Sequence, residues 1–118
     1  MIRLLVVDDH ELIRLAVSTA LDAVDDIVVV GACADGAEAV AVVAYARPDV
    51  VVMDLFMPRM GGLEATRQIL AAYPQTRIVI LTAAGRGPDT RDALAAGAAD
   101  CLFKDADLDE LITAVRGA

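Results

Sequence analysis

The chain has 118 residues, the size of one domain, and a domain of that size buries about two-thirds of its unfolded surface in a single core. Hydrophobic residues make up 58% and aromatics 3%, so the core must be layered Val, Leu, Ile and Ala, and disorder is excluded. A net charge of -8, from 10 basic and 18 acidic residues, gives no electrostatic footprint for a phosphate backbone, and apolar stretches such as Ala39–Ala46 are far too short to span a bilayer.

In chain order, the apolar run Ile2–Val7 ends at Asp8, Asp9 and His10. Acids this early argue against a signal peptide, so a cytoplasmic protein that contacts neither membrane nor DNA directly is expected. His10, the only histidine, stands where a surface or helix-start role is expected. Ile13, Val17, Ala20, Leu21 and Val24 then follow i, i+4, i+7, i+8, i+11, one apolar face of a helix. The run Ile27–Val30, extending towards Ala34, precedes Asp35 and Glu38, the spacing of an Asp cap with Glu at the third helical position.

The run Val50–Met53 drives into a lone carboxylate, Asp54, followed by Met57, Pro58 and the pair Gly61-Gly62. Desolvating an acid is costly unless it is paired, hydrogen-bonded or metal-bound, so Asp54 is expected to have a task. The glycine pair is expected to give conformational freedom before the next helix, which Pro74 ends. Ile78–Leu81 leads to Thr82 and then "TAAGRGPDTRD", with Gly85 and Gly87; Gly97 ends the next helix and Cys101–Phe103 leads to Lys104. Asp107 with Glu110 starts a last helix, whose Leu108, Leu111, Ile112 and Val115 share a face. Cys33 and Cys101, set in apolar runs without metal or redox spacing, read as small buried hydrophobes, and Met53, Met57 and Met60 as packing and loop residues.

Strictly alternating β and α elements imply right-handed crossovers and a parallel sheet covered by helices on both faces, a three-layer α/β fold. The polar residues then converge. Asp8, Asp9, Asp54, Thr82 and Lys104 all stand at carboxyl ends of strands, where open parallel sheets bind ligands. Three acids with one lysine ask for a divalent cation, and an all-oxygen set suits Mg²⁺ or Mn²⁺, whereas zinc lacks a His/Cys cluster.

The pieces "VVDDH", "VVMDLFMPRMGGLEA", "ILTA" and "GAADCLFKD", in this order, resemble the receiver domain of two-component response regulators over the whole chain, residues 1–118. The resemblance implies the flavodoxin-like doubly wound fold, five parallel strands in the order 2-1-3-4-5. "DDH" and "KD" resemble the LuxR-type (NarL/FixJ) subfamily, so a C-terminal DNA-binding domain is expected in the full-length protein and is not among these residues. Residue by residue, the resemblance makes Asp54 the phospho-acceptor, Asp8 and Asp9 the metal-side acids with Asp54, the main-chain carbonyl of Phe56 a further Mg²⁺ ligand, Thr82 the switch hydroxyl and Lys104 the phosphate partner. A sensor histidine kinase is the implied donor. The implied output runs through the segment from Thr82 to the fifth strand, with a phosphorylation-dependent homodimer as a further implied partner. Such a chain modifies itself and is not a turnover enzyme.

Two alternatives fit less well. An aspartyl-phosphate hydrolase of the haloacid-dehalogenase type needs an acid two residues after the nucleophile, where Phe56 stands. A phosphorylation-independent interaction domain of the same fold has no need for the complete acidic set. Neither a P-loop nor G-x-G-x-x-G is present. The chain departs from the family at Cys101, where receivers usually carry the aromatic that reports on the threonine. Phe103 shares the face of Cys101 by strand alternation and is not an obvious substitute. Phe56 and Ala84, two beyond Asp54 and Thr82, cannot hydrogen-bond a water, so slow autodephosphorylation is expected.

Overall fold

The computed structural model describes residues 1–83 and 87–117. Five strands, β1 Ile2–Val7, β2 Ile27–Cys33, β3 Val50–Met53, β4 Arg77–Thr82 and β5 Asp100–Phe103, alternate with five helices, α1 Glu11–Asp22, α2 Gly36–Ala46, α3 Gly62–Ala72, α4 Pro88–Ala95 and α5 Leu108–Arg116. The strands form one sheet in the order β2-β1-β3-β4-β5, every pair parallel.

Alternation along the strands splits the core in two. Leu5, Val7, Val51, Met53, Ile78 and Ile80 face Ala39 and Val43 of α2, Ala65 and Ile69 of α3 and Ala93 of α4. Their neighbours Leu4, Val6, Val50, Val52, Val79 and Leu81 face Leu21 of α1 and Leu111, Ala114 and Val115 of α5. Each Val, Leu, Ile or Met side chain fully buried this way contributes about 1.5–3 kcal/mol. The central strands are buried on both faces and thus read as unbroken apolar runs, while β5 at the edge is only half-buried.

The helix starts follow the sequence signals. Asp35 accepts the Glu38 N–H at 2.9 Å and Asp107 the Glu110 N–H at 2.8 Å. The fourth helix opens with Pro88 after Gly87, whose N–H bonds Thr90 Oγ1 at 3.1 Å. Gly117 caps α5 at φ 77. The first helix ends before Val24, which packs from the following turn onto the same core side as Val17. The second strand runs three residues past Val30, and its register against β1 shifts between Leu4 and Leu5.

Two sequence expectations need correction. Cys101 is half-buried rather than buried, because β5 is an edge strand. The Gly61-Gly62 pair is not a point of freedom: Gly61 has an ordinary extended backbone at φ -78 and Gly62 opens α3. Space is the requirement, since a Cβ at position 62 would lie 2.2 Å from the Asp54 carbonyl oxygen and one at position 61 would lie 2.9 Å from that of Leu55.

Candidate functional site

Parallel pairing delivers the strand ends to one edge. Val7 is in register with Met53, so Asp8 and Asp54 leave the sheet side by side. Their N–H groups donate to the Cys33 and Val7 carbonyls, each at 3.0 Å. Both acids are 4% exposed. Asp9, one residue further, is exposed, and one carboxylate oxygen from each of Asp8, Asp9 and Asp54, together with a His10 ring nitrogen, lie within 4.8 Å of one another.

Lys104, just past β5, closes the cluster. Its Nζ donates to Asp8 Oδ2 at 2.9 Å and to Asp54 Oδ2 at 3.0 Å. Burial works against the ammonium, but the hydrogen bonds to Asp8 and Asp54 and the charges of both outweigh it and hold Lys104 above its ordinary value of 10.5. The Asp54 Oδ1 atom accepts the Leu55 N–H at 2.8 Å. Thr82, fully buried, ends β4, and its carbonyl accepts the Lys104 N–H at 2.9 Å. The side chain of Phe56 stands 54% exposed in the loop beyond Asp54. Ala84 and Gly85 lie outside the described residues.

The donor set fits a hard divalent cation. Among the described residues, three carboxylates against one ammonium leave a formal charge of -2, and the pooled atoms are oxygens except for His10. His10 starts α1, with its N–H bonding Asp8 Oδ1 at 2.8 Å and its Nδ1 atom 3.1 Å from Asp8 Oδ1 and 3.3 Å from Asp9 Oδ1.

Sequence reasoning missed two supports. The Arg14 Nη1 atom donates to the Asp8 carbonyl at 2.8 Å, and Arg59 pairs with the buried Asp35 across 24 residues. The first could have been suspected from helical spacing after the acids; the second carries no local signal. Cys33, beside the site, is fully buried, and burial, with the charges of Glu38 and Asp35, pushes its thiol up to about 12, consistent with a packing role. Cys101 and Phe103 line one cleft between α4 and β5, with Thr90, Arg91 and Leu94.

A doubly wound parallel sheet in this strand order is the flavodoxin-like fold of the signal receivers. Residues 4–116 match the family model described as the response regulator receiver domain, and the chain belongs to that family. It is 42% identical over 116 residues to the response regulator GacA of Pseudomonas viridiflava, an alignment covering 98% of this chain and 54% of that protein. The chain thus spans about half the length of the curated relatives it matches. Among solved structures, the response regulator domain of Thermotoga maritima CheB is similar at TM-score 0.92 and 34% identity, covering 100% of this chain and 96% of that one. A LuxR-family two-component response regulator from Aurantimonas sp. SI85-9A1 is similar at TM-score 0.93 and 34% identity, covering 98% and 83%. The chain is a receiver domain of the two-component response regulators, with LuxR-family regulators among its relatives. Among the described residues no helix is long and apolar enough to cross a membrane.

Proposed function

We propose that Asp54 accepts a phosphoryl group from the phosphohistidine of a sensor kinase and that Asp8, Asp9, Asp54 and the main-chain carbonyl of Phe56 hold the Mg²⁺, or Mn²⁺, that supports the transfer. The observation that carries this reading is the pairing of Asp54 with Asp8 through one lysine, at a strand tip where both acids are nearly buried. A carboxylate oxygen of Asp54 forms the O–P bond as the P–N bond breaks; the electron pair leaves on the imidazole nitrogen, which takes a proton from solvent. Lys104 turns from the two acids towards the phosphoryl oxygens, and the Thr82 hydroxyl binds one of them. The cation, when bound, offsets the charge that gathers on those oxygens.

Residues 1–118 are proposed as one receiver unit of a longer cytoplasmic regulator with a LuxR-type DNA-binding output domain. Phosphorylation switches that output through the region from Thr82 to β5, with homodimer formation as one consequence. The chain modifies itself and turns over no other substrate. Phe56 offers an incoming water no hydrogen bond, so Asp54 phosphate should decay slowly and faster in Phe56→Asn, followed by intact mass at fixed Mg²⁺.

The test is acetyl phosphate treatment with and without Mg²⁺, read by intact mass and peptide mapping. A phosphate-sized adduct should form on Asp54 only with Mg²⁺ and be absent from Asp54→Asn. Full labelling of Asp54→Asn at another residue, or an unlabelled wild type, defeats the reading.

A further inference from the structure

The loop from Asp54 to Gly61 is fastened at three points. At one end the Gly62 N–H donates to the Leu55 carbonyl at 2.7 Å, and at the other the Gly36 N–H donates to the Met60 carbonyl at 2.9 Å. The second attachment is close enough that a Cβ at position 36 would lie 2.5 Å from the Met60 oxygen. Between them, the Arg59 guanidinium grips Asp35 Oδ2 through two nitrogens, Nε at 2.9 Å and Nη2.

This third attachment joins unlike partners. Asp35 is 1% exposed, while the Arg59 side chain is 73% exposed. The two Asp35 oxygens divide the work, with Oδ1 capping α2 through the Glu38 N–H and Oδ2 taking Arg59. The Glu38 N–H, then Arg59, hold the Asp35 carboxyl below its ordinary range. Arg59 also has φ 66, one of two non-glycine residues at positive φ among the described residues. A side chain there crowds its own backbone, so this arginine is held in an unfavourable backbone shape by a charge-assisted, two-pronged contact. The span between the fastenings includes Phe56, Met57 and Pro58, with Phe56 two residues past Asp54.

We propose that Arg59 is a positioning residue: by clamping the loop to Asp35 it presets the Phe56 carbonyl towards the Asp8, Asp9 and Asp54 oxygens, and so sets the affinity of the site for Mg²⁺. This rests on the reading of that cluster as a Mg²⁺ site. The clamp acts on binding and not on transfer, since neither Arg59 nor Asp35 touches the reacting oxygens. A carbonyl carries only a partial charge and must be aimed by its backbone, whereas a carboxylate finds a cation by charge and side-chain rotation.

The experiment measures Mg²⁺ dissociation constants by calorimetry, hydrogen exchange of residues 55–61 without metal, and the acetyl phosphate labelling rate as a function of Mg²⁺. Arg59→Ala and Asp35→Asn, the latter retaining a side-chain oxygen for the α2 cap, should each weaken Mg²⁺ binding about 3- to 10-fold, the scale of an outer support for a metal ligand. Exchange in the loop should rise, and the double variant should be no weaker than the worse single one, as expected for two halves of one contact. The labelling rate at saturating Mg²⁺ should stay within about twofold, because the loss lies in binding. Arg59→Lys should recover part of the affinity. Arg59→Gly, which removes the contact and the backbone cost together, should remain weak. Wild-type affinity in Arg59→Gly beside a weak Arg59→Ala would trace the effect to backbone strain and overturn the proposal, as would lower melting temperatures with unchanged Mg²⁺ affinity. A wild type that does not bind Mg²⁺ overturns the site reading and the clamp together, whereas wild-type binding that all five variants retain overturns the clamp alone.

Discussion

The two ends of the same five strands treat charge in opposite ways. At the amino ends, most charged side chains find a partner close by, although the Arg77 Nε atom is buried without one. Asp49 accepts the Arg3 N–H at 2.9 Å, Arg3 caps the Ala46 carbonyl at 2.6 Å, Arg77 bonds the Ala114 carbonyl at 2.9 Å, and Arg116 holds Asp26 through bonds of 3.0 and 2.8 Å. Arg47 lies over the Tyr73 ring at 4.4 Å. At the carboxyl ends, among the described residues, three acids lie together and one lysine pairs with two of them, which leaves an excess of negative charge. The contrast teaches that electrostatic stress in this fold is confined to one edge. The strands between are held by their parallel hydrogen-bond ladder and by apolar packing on both faces, so the fold can tolerate a frustrated cluster there.

The largest effect should come from removing Lys104, the ammonium that bridges Asp8 and Asp54. Lys104→Met should lower the acetyl phosphate labelling rate by about 10²- to 10³-fold, the usual cost of losing one charge-stabilising donor at a reacting oxygen. It should also deprive Asp8 and Asp54 of the ammonium they share and cost about 1–3 kcal/mol of stability at neutral pH. A labelling rate within a few-fold of wild type would show that the carboxyl edge does not depend on Lys104.

Next in size is the packing that brings α3 onto Asp54. Gly62→Ala places a methyl against the Asp54 carbonyl, and main chain cannot swing aside as a flexible side chain can. A loss of about 3 kcal/mol is expected in chemical denaturation, at the upper end of ordinary overpacking. An unchanged midpoint would mean that the approach is looser than the fold requires.

The third prediction separates frustration from support. Asp9 is the most open of the acids, with 29% of its side chain accessible. Asp9→Ala should raise the melting temperature of the metal-free protein by relieving repulsion, and abolish the rise that millimolar Mg²⁺ should produce in the wild type by mass action. A lower metal-free melting temperature would mean that the three acids are not in conflict.

The smallest effect should be at the amino end, and pH sharpens the comparison. Asp26 is held below its usual 3.8, chiefly by its hydrogen bond from Arg116. A lowered carboxyl contributes stability above its unfolded value, lost as pH falls through the folded one. The Lys104 pKa is raised above 10.5, so its contribution is complete below 10.5 and is lost as pH rises through the folded value. Arg116→Ala should therefore flatten the acid limb of the stability profile below about pH 4 and leave labelling and Mg²⁺ binding unchanged, whereas Lys104→Met should flatten the alkaline limb. An alkaline limb that survives in Lys104→Met, or labelling that falls in Arg116→Ala, would erase the distinction between the ends.

By itself the sequence determined the architecture and the placement of Asp8, Asp54, Thr82 and Lys104 at the ends of strands. Strands buried between two helix layers must be apolar along their whole length, so Val50–Met53 or Ile78–Leu81 are visible without coordinates, and the first polar residue after each run is necessarily at a carboxyl end. Asp35 and Asp107 announced their helices because capping is settled within four residues. Only the tertiary structure decided the rest. That Lys104 bridges Asp8 and Asp54, that Arg59 reaches the buried Asp35, and that residue 62 must lack a side chain to clear the Asp54 carbonyl are all facts about groups brought together from different elements. Sequence pattern reports the face a residue presents, through periodicity and local hydrogen bonding. Which charge meets which across a loop depends on distances of a few ångströms that the packed layers impose, and the same residue types in the same order would be compatible with other pairings.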